Sequence, residues 1–277
     1  MIEPLLADDA FLADVAAART RPGLHIWWLG QSGFLICHDA HGVLIDPYLS
    51  DSLTHKYAGT DKPHVRMTRR VIDPRRLNFI DAVASTHNHT DHLDPDTIRP
   101  LLEVNPELQL VIPEANRQFV AQRLNVAADF PIGIDDGQTV TAGGFNFTAV
   151  PAAHETVERD AEGRCRFLGY IVGAGPFTIY HSGDTVLYDG MVERLRQFRI
   201  DVALLPINGR APQRRVAGNL NGPEAAQLAH HMGAALVIPC HYEMFEFNTA
   251  SPEEFVAECA RLEQRHRVLR GGERWSG

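Results

Sequence analysis

The sequence predicts a mixed α/β domain, and three observations carry that reading. Short apolar runs bounded by turn residues alternate along the chain with segments whose apolar residues recur at helical spacing. No apolar run approaches the length of a membrane span, and the four cysteines, Cys37, Cys165, Cys240 and Cys259, are scattered without a Cys-x-x-Cys pair or a framework spacing. At 277 residues and 44% hydrophobic content, one sizeable domain or two tightly fused halves can bury a full core without disulfides.

Scattered thiols suit a reducing cytosol, and Cys240, at a strand end, reads first as a small buried hydrophobe. The net charge of −9 weighs against nucleic acid as a partner, because a polyphosphate rewards a basic face. The expected organisation is an N-terminal helical extension over residues 1–23 and a single domain over 24–277. Residues 1–20 carry Glu3, Asp8, Asp9 and Asp14 where an export signal needs basic residues, and Phe11, Leu12, Val15 and Ala18 recur at helical spacing. That pattern predicts a short amphipathic helix, and with it a soluble, cytoplasmic protein without a membrane partner.

Three strands are predicted next, at 25–29, 34–38 and 43–46, forming an antiparallel meander with a turn at Asp39-Ala40-His41-Gly42. Asp46 closes the third inside the apolar run Leu44-Ile45-Asp46-Pro47, where a lone carboxylate is costly unless it finds partners. Residues 48–73 show no periodicity and are too long for an ordinary connection, which reads as a functional or mobile loop. His55, Lys56, Lys62, His64, Arg66, Arg69 and Arg70 make it the most basic segment of an acidic chain. Over a cleft it would suit an anionic substrate, with Arg66 and Arg69 as bidentate donors; ordinary solvated surface charge is the alternative.

The chain is organised around an apolar run over 80–86 that leads directly into His87-Asn88-His89-Thr90-Asp91-His92-Leu93-Asp94. Finding His-x-His-x-Asp-His by chance in a chain of this histidine content is on the order of a few in a thousand, so the string points to a metal site. A strand running out near Thr86 would put His87 and His89, two residues apart, on the same side of an extended segment, as the first two ligands of one ion. Asp94 reads as an N-cap with Pro95 at the first helical position, opening a helix to about Glu103. Asp91 and His92 then fall in the reversing turn, aimed as a second ion would need.

Beyond the string the α/β alternation continues, with a strand at 109–112, a helix at 113–124 and strands at 131–134, 138–141 and 145–152. Gly143-Gly144 precedes a strand, not a helix, so no nucleotide-binding glycine fingerprint is present. His154, just after a strand in Pro151-Ala152-Ala153-His154-Glu155, is the candidate third ligand of the first ion, which needs three protein donors and an open position for water. A charged loop at 155–164, placed near the cleft mouth, leads to strands at 167–172 and 177–180 and into His181-Ser182-Gly183-Asp184-Thr185, where Gly183 allows a sharp turn. A helix at 188–197 and a strand at 201–206 lead to Ile207-Asn208-Gly209-Arg210 and an arginine-rich loop, from which Asn208 and Arg210 are candidate substrate contacts. Asn221 or Asn219 caps a helix at 223–232, whose late His230 and His231 interact with the helix dipole and are not ligands. A strand at 235–239 ends at Cys240-His241-Tyr242, and a helix at 252–264 and a strand at 268–270 close the chain.

The His-x-His-x-Asp-His string at a strand end resembles the signature of the metallo-β-lactamase superfamily, and the resemblance runs from about Leu24 to Trp275. Trp27-Trp28-Leu29-Gly30-Gln31-Ser32-Gly33, Tyr180-His181-Ser182-Gly183-Asp184 and Ile238-Pro239-Cys240-His241 are most similar to the branch containing L-ascorbate-6-phosphate lactonase and its relatives. The resemblance implies a four-layer αββα sandwich whose ligand-bearing strand ends, from both halves of the sequence, meet in a cleft between two sheets. It implies two divalent ions per chain, one on His87, His89 and His154, the other on Asp91, His92 and His241, with Asp184 bridging through its two oxygens. Asp46 would stand behind the ligands and hold them by hydrogen bonds, and His181 would pack under the site.

The chemistry so implied is attack of a metal-activated water on an ester, lactone, amide or phosphodiester, with Asp91 relaying a proton to the leaving group. No Gly-x-Ser-x-Gly elbow is present, and none is needed. His89 stands where the diiron flavoprotein pattern has glutamate. His154 departs from the lactonase itself, which lacks a histidine at this step and runs with a single metal. The expectation is a metal-dependent hydrolase of a small anionic ester or lactone, sugar-acid lactone-like, with zinc or manganese and iron also allowed by thiolate-free ligands. A phosphodiesterase and a non-catalytic regulatory protein with a vestigial site are the alternatives, and a homo-oligomer is left open.

Overall fold

The computed structural model describes residues 1–277. Helix α1 (Asp8–Arg19) buries Phe11, Val15 and Ala18, which its period places on one face. Strands β1 (Leu24–Gly30), β2 (Gly33–His38) and β3 (His41–Ile45) form the expected antiparallel meander. The turn between β2 and β3 is tighter than expected, because His41 and Gly42 already pair with His38 and Cys37.

The aperiodic stretch after β3 holds one short helix, α2 (Ser52–Tyr57), too brief to show a period and burying only Leu53. Strand β4 (Ala82–Ala84) lies parallel to β3 and is followed by α3 (Pro95–Val104), where Asp94 caps the first turn by accepting from the Asp96 N–H and Pro95 opens the helix. The helix expected at 113–124 is divided. Pro113 still belongs to β5 (Gln109–Pro113), where it pairs with β6 (Ile132–Ile134), and a 3₁₀ turn at Glu114–Asn116 precedes α4 (Arg117–Leu124).

Strands β7 (Thr139–Ala142), β8 (Phe145–Pro151), β9 (Leu168–Ala174) and β10 (Phe177–His181) form a second antiparallel meander. Helix α5 (Met191–Leu195) is shorter than expected because Gly190, at a left-handed φ of 82°, delays its start. Strand β11 (Val202–Pro206), helix α6 (Gly222–Met232) with its Asn221–Glu224 capping box, and strand β12 (Leu236–Cys240) continue in parallel. Helix α7 (Glu253–Arg261) packs on α6. Residues 268–270 are not a strand; the closing strand is β13 (Arg274–Ser276), which returns to pair with β1.

The strands make a seven-stranded sheet in the order β13-β1-β2-β3-β4-β5-β6 and a six-stranded sheet in the order β12-β11-β10-β9-β8-β7. Alternation along β1 divides the core, since Ile26 and Trp28 join the cluster shared with the second sheet while Trp27 and Leu29 join α1, α3 and α4 on the outer face. Helices α5, α6 and α7 cover the second sheet, completing the four-layer αββα sandwich. No helix is long and apolar enough to cross a membrane. The strand ends that matter lie together: β3 runs into Asp46, β4 into His87, β8 into His154, β10 into Asp184 and β12 into His241. Three of these five strands, including β8, belong to the second sheet.

Candidate metal centre

The central string does not extend β4, and this corrects the argument from strand alternation. β4 ends at Ala84, and the segment to Asp91 is an irregular loop folded on itself: Ser85 Oγ lies 2.8 Å from the His87 carbonyl and 3.0 Å from that of His92, and the Leu93 N–H donates to the His89 carbonyl at 2.8 Å. β3 ends at Ile45, opposite Ala84, and the Thr86 N–H turns to the Asp46 side chain, so turn hydrogen bonds, not the pleat, bring His87 and His89 together with ring centroids 4.6 Å apart.

Two groups of ligand-type side chains result. His87, His89 and His154 each offer an atom within 4.8 Å of the others, and so do Asp91, His92, Asp184 and His241. The groups adjoin, with the rings of His87 and His92 4.0 Å apart. Asp184 Oδ2 lies 3.3 Å from Nε2 of both His92 and His241. Gly183 makes this possible: its φ is 61°, and a Cβ there would come within 2.7 Å of the Leu168 carbonyl.

The donor atoms fit divalent cations. His87 Nε2, His92 Nε2 and His154 Nδ1 are buried without a hydrogen-bond partner, a costly accumulation unless something else takes imidazole lone pairs. At His92 the contrast is sharpest, because Nδ1 is committed to Asp46 Oδ2 at 2.7 Å while Nε2 faces the two carboxylates of its group. Imidazole and carboxylate without thiolate is a donor set for zinc, manganese or iron.

Asp46 is fully buried and also accepts from the Thr86 N–H at 2.8 Å and the Thr86 hydroxyl at 2.6 Å, so its expected partners are Thr86 and His92. It fixes the His92 ring through Nδ1, as a carboxylate behind a metal-ligating histidine does. His181 is likewise beneath the centre, with Nε2 donating to the Ser32 carbonyl at 2.8 Å and Nδ1 accepting from the Gly183 N–H at 3.1 Å. Three non-glycine residues around this centre, Gln31, Asp46 and His241, hold left-handed backbone at φ 51°, 45° and 62°. Such conformations persist where surrounding structure enforces them.

Burial and the neighbouring imidazoles push His87 well below the usual histidine range, and burial takes His89 down to about 4. Both rings are therefore neutral at physiological pH, with lone pairs free for a cation. Burial opposes ionisation of Asp184, yet His92 and His241 beside it hold its carboxyl well below the usual range. The same carboxylates, Asp184, Asp46 and Asp91, outweigh burial at His92 and raise it.

A cleft of about 410 Å³ opens over both groups, and none of Arg66, Arg69, Asn208 and Arg210 lines it. Arg66 is turned inward, donating to the carbonyls of Thr68 at 2.7 Å and Ser50 at 2.6 Å. Arg69 pairs with Glu3 at 2.7 Å and Asp8 at 3.0 Å, Arg210 grips Glu224 at 2.7 and 2.6 Å, and Asn208 is buried between Asn219 and Asn248. In a chain with more carboxylates than cations, these donors find partners within the protein. Arg69→Ala is accordingly expected to leave KM unchanged for any substrate and to lower Tm by about 3 °C or less, since exposed ion pairs contribute little; thermal melts beside Michaelis curves check this.

The cleft instead presents Lys56, which has no carboxylate partner, and Arg123, which donates to the Asn88 carbonyl at 2.8 Å and to the Thr90 hydroxyl, bracing the loop that carries His89 and Asp91. One wall is aromatic: Tyr57 stacks on His64 at 4.1 Å, and His64 meets Phe245 at 5.1 Å. Gln31 and Ser32, in the turn between β1 and β2, also reach the second group. Lys56 and His64 stood among the basic-loop residues without being singled out, and the 27–33 segment carried a resemblance without a role; Arg123 had no signal.

A family model described as "Beta-lactamase superfamily domain" matches residues 41–242. A "UPF0173 metal-dependent hydrolase" from Hyperthermus butylicus is 30% identical over 254 residues, covering 90% of this chain and 97% of its own. A solved structure described as a possible metal-dependent hydrolase from Veillonella parvula aligns at a TM-score of 0.73 with 18% identity over 93% of this chain and 100% of that one. The metallo-beta-lactamase fold protein YhfI from Bacillus subtilis aligns at 0.67, also with 18% identity and the same coverage. At these identities the two structures bear on the fold alone. The length of the family match, and a 30%-identical relative covered nearly whole, mean that this chain belongs to the metallo-β-lactamase superfamily and, within it, to the family named UPF0173 metal-dependent hydrolase.

Proposed function

We propose that this protein is a metal-dependent hydrolase acting on a small ester or lactone that carries an anionic group. The observation that carries the reading is the pair of adjoining ligand groups at the strand ends, with buried nitrogens of His87, His92 and His154 that no protein atom satisfies. His87, His89 and His154 would hold one divalent ion and Asp91, His92 and His241 a second, with Asp184 between them. Ions so bound supply an acidified water and electrophilic stabilisation of an oxyanion.

The chain's own contributions depend on position. Asp91 lines the cleft and would pass a proton to the leaving group. Asp46 and Thr86 keep the His92 ring from turning, and the aromatic wall of Tyr57, His64 and Phe245 limits water around the substrate. No cysteine serves as nucleophile, because all four are buried, and burial raises the Cys240 thiol well above its usual range.

Lys56 is the reason to expect a negative charge on the substrate. Lys56→Ala is expected to raise KM for a carboxylate- or phosphate-bearing lactone about 10-fold while leaving a neutral analogue unchanged, as loss of one charge contact predicts. Equal KM values for the charged substrate in both proteins would remove the anionic part of the reading. The lactone part is supported by the resemblance of the segments around Trp27, Asp184 and His241 to the ascorbate-6-phosphate lactonase branch, and His154 supports two ions over one. The deciding experiment is a panel of lactones and aryl esters run beside a bis-aryl phosphodiester, on protein purified without added metal and analysed for its metals. Turnover of the phosphodiester alone would reassign the chemistry, and metal-free protein with no turnover after metal addition would end the hydrolase reading.

A further inference from the structure

We infer that Gln31 belongs to the second ligand group, presenting its side-chain oxygen to the cation held there and inclining that position toward an ion that accepts more than four ligands, manganese(II) or iron(II), over zinc. This rests on the reading that Asp91, His92, Asp184 and His241 bind a divalent ion.

Gln31 is fixed at every level. It sits in the two-residue turn between Gly30 and Gly33, at a left-handed φ, and only 1% of its surface is exposed. Its backbone carbonyl accepts from the Trp28 indole N–H at 2.9 Å and from the His241 N–H at 2.8 Å, which ties the turn to the residue that follows β12. From this anchor the carboxamide reaches into the group: Nε2 lies 2.7 Å from Asp91 Oδ2 and 3.1 Å from His241 Nε2. The next residue, Ser32, directs its hydroxyl to Asp184 Oδ1 at 3.4 Å.

The carboxamide is only half satisfied. Its nitrogen donates to Asp91, while Oε1 is buried with no donor in reach. A half-turn about the last side-chain bond exchanges the two atoms within the same envelope. The oxygen then takes the place beside Asp91 Oδ2 and His241 Nε2, where it meets an anion and a lone pair and is stable only with a cation among them. The amide is thus suited to both conditions of the centre: nitrogen inward to hold Asp91 alone, oxygen inward to complete a bound ion.

The consequence is a difference between the two positions. Three imidazoles and one oxygen of the shared Asp184 make four donors, the number zinc prefers. Two carboxylates, two imidazoles and an amide oxygen already make five protein donors, an oxygen-rich set that favours manganese(II) or iron(II).

The test titrates metal-stripped full-length protein with Mn(II) alone and with Zn(II) alone by calorimetry, in wild type, Gln31→Met and Gln31→Glu. Both substitutions delete the amide donor to Asp91, but only glutamate keeps an oxygen. The expected result is a manganese Kd at least about 10-fold weaker in Gln31→Met, recovered to within a few-fold of wild type in Gln31→Glu, with one zinc site unchanged throughout. Gln31→Met binding manganese as wild type does would overturn the inference. So would Gln31→Glu proving worse than Gln31→Met, which repulsion from Asp91 predicts if the residue serves only as an amide donor. Wild type that binds neither metal would instead remove the metal-site reading beneath it.

Discussion

Asp184→Asn is expected to lower kcat/KM for the best ester or lactone substrate by on the order of 10³-fold, about 4 kcal/mol of transition-state stabilisation. The substituted side chain has nearly the same shape, so folding is spared and the loss is one of charge. Two imidazoles, His92 and His241, converge on Asp184 Oδ2 at 3.3 Å, and the carboxyl is held well below its usual range by that company. An amide in its place offers one oxygen acceptor and an NH₂ that repels a cation. Elemental analysis should show fewer than two ions per chain. Activity within tenfold of wild type, with metal content intact, would mean that Asp184 serves neither ion.

Asp46→Ala is expected to weaken metal binding 10- to 100-fold and to cost about 3 kcal/mol of stability, although Asp46 touches no substrate. Its carboxylate takes three hydrogen bonds from Thr86 and His92, and alanine leaves those donors buried and unpaired while freeing the His92 ring to rotate. In a chain of this size the stability loss corresponds to roughly 6–12 °C in Tm. The informative contrast is with Asp46→Asn, which keeps an acceptor oxygen and should lie between the two. A melting loss without any change in metal affinity would reduce Asp46 to a structural residue.

Much of the fold was legible where local chemistry dictates it. Asp94 and Pro95 announce the start of α3, Asn221 and Glu224 that of α6, and the tight turns mark most strands to within one or two residues. Errors arose where a tertiary neighbour ends an element. β4 stops at Ala84 because β3, its partner on one side, stops at Ile45, Pro113 stays in β5 because β6 pairs with it, and the closing strand forms at 274–276, not 268–270, because that is where β1 is free. The side chains that gather into two groups able to hold metal ions could be named from their types and their positions after strands. The cations that line the cleft could not: Arg66, Arg69 and Arg210 face their own partners, while Lys56 and Arg123 reach it.

From its sequence alone this protein's centre was determined as a set of side-chain types, because imidazoles packed into six positions and a buried aspartate at a strand end are local and carry a cost that only partners relieve. The tertiary structure decided which donors meet. Gln31 lies 60 residues from Asp91 and 210 from His241, and the Asp46 carboxylate is 46 residues from the ring it holds. Spacing along a chain encodes which face of an element a residue occupies. Contact across such separations is set by the order of strands in the two sheets, and so by how the whole core packs.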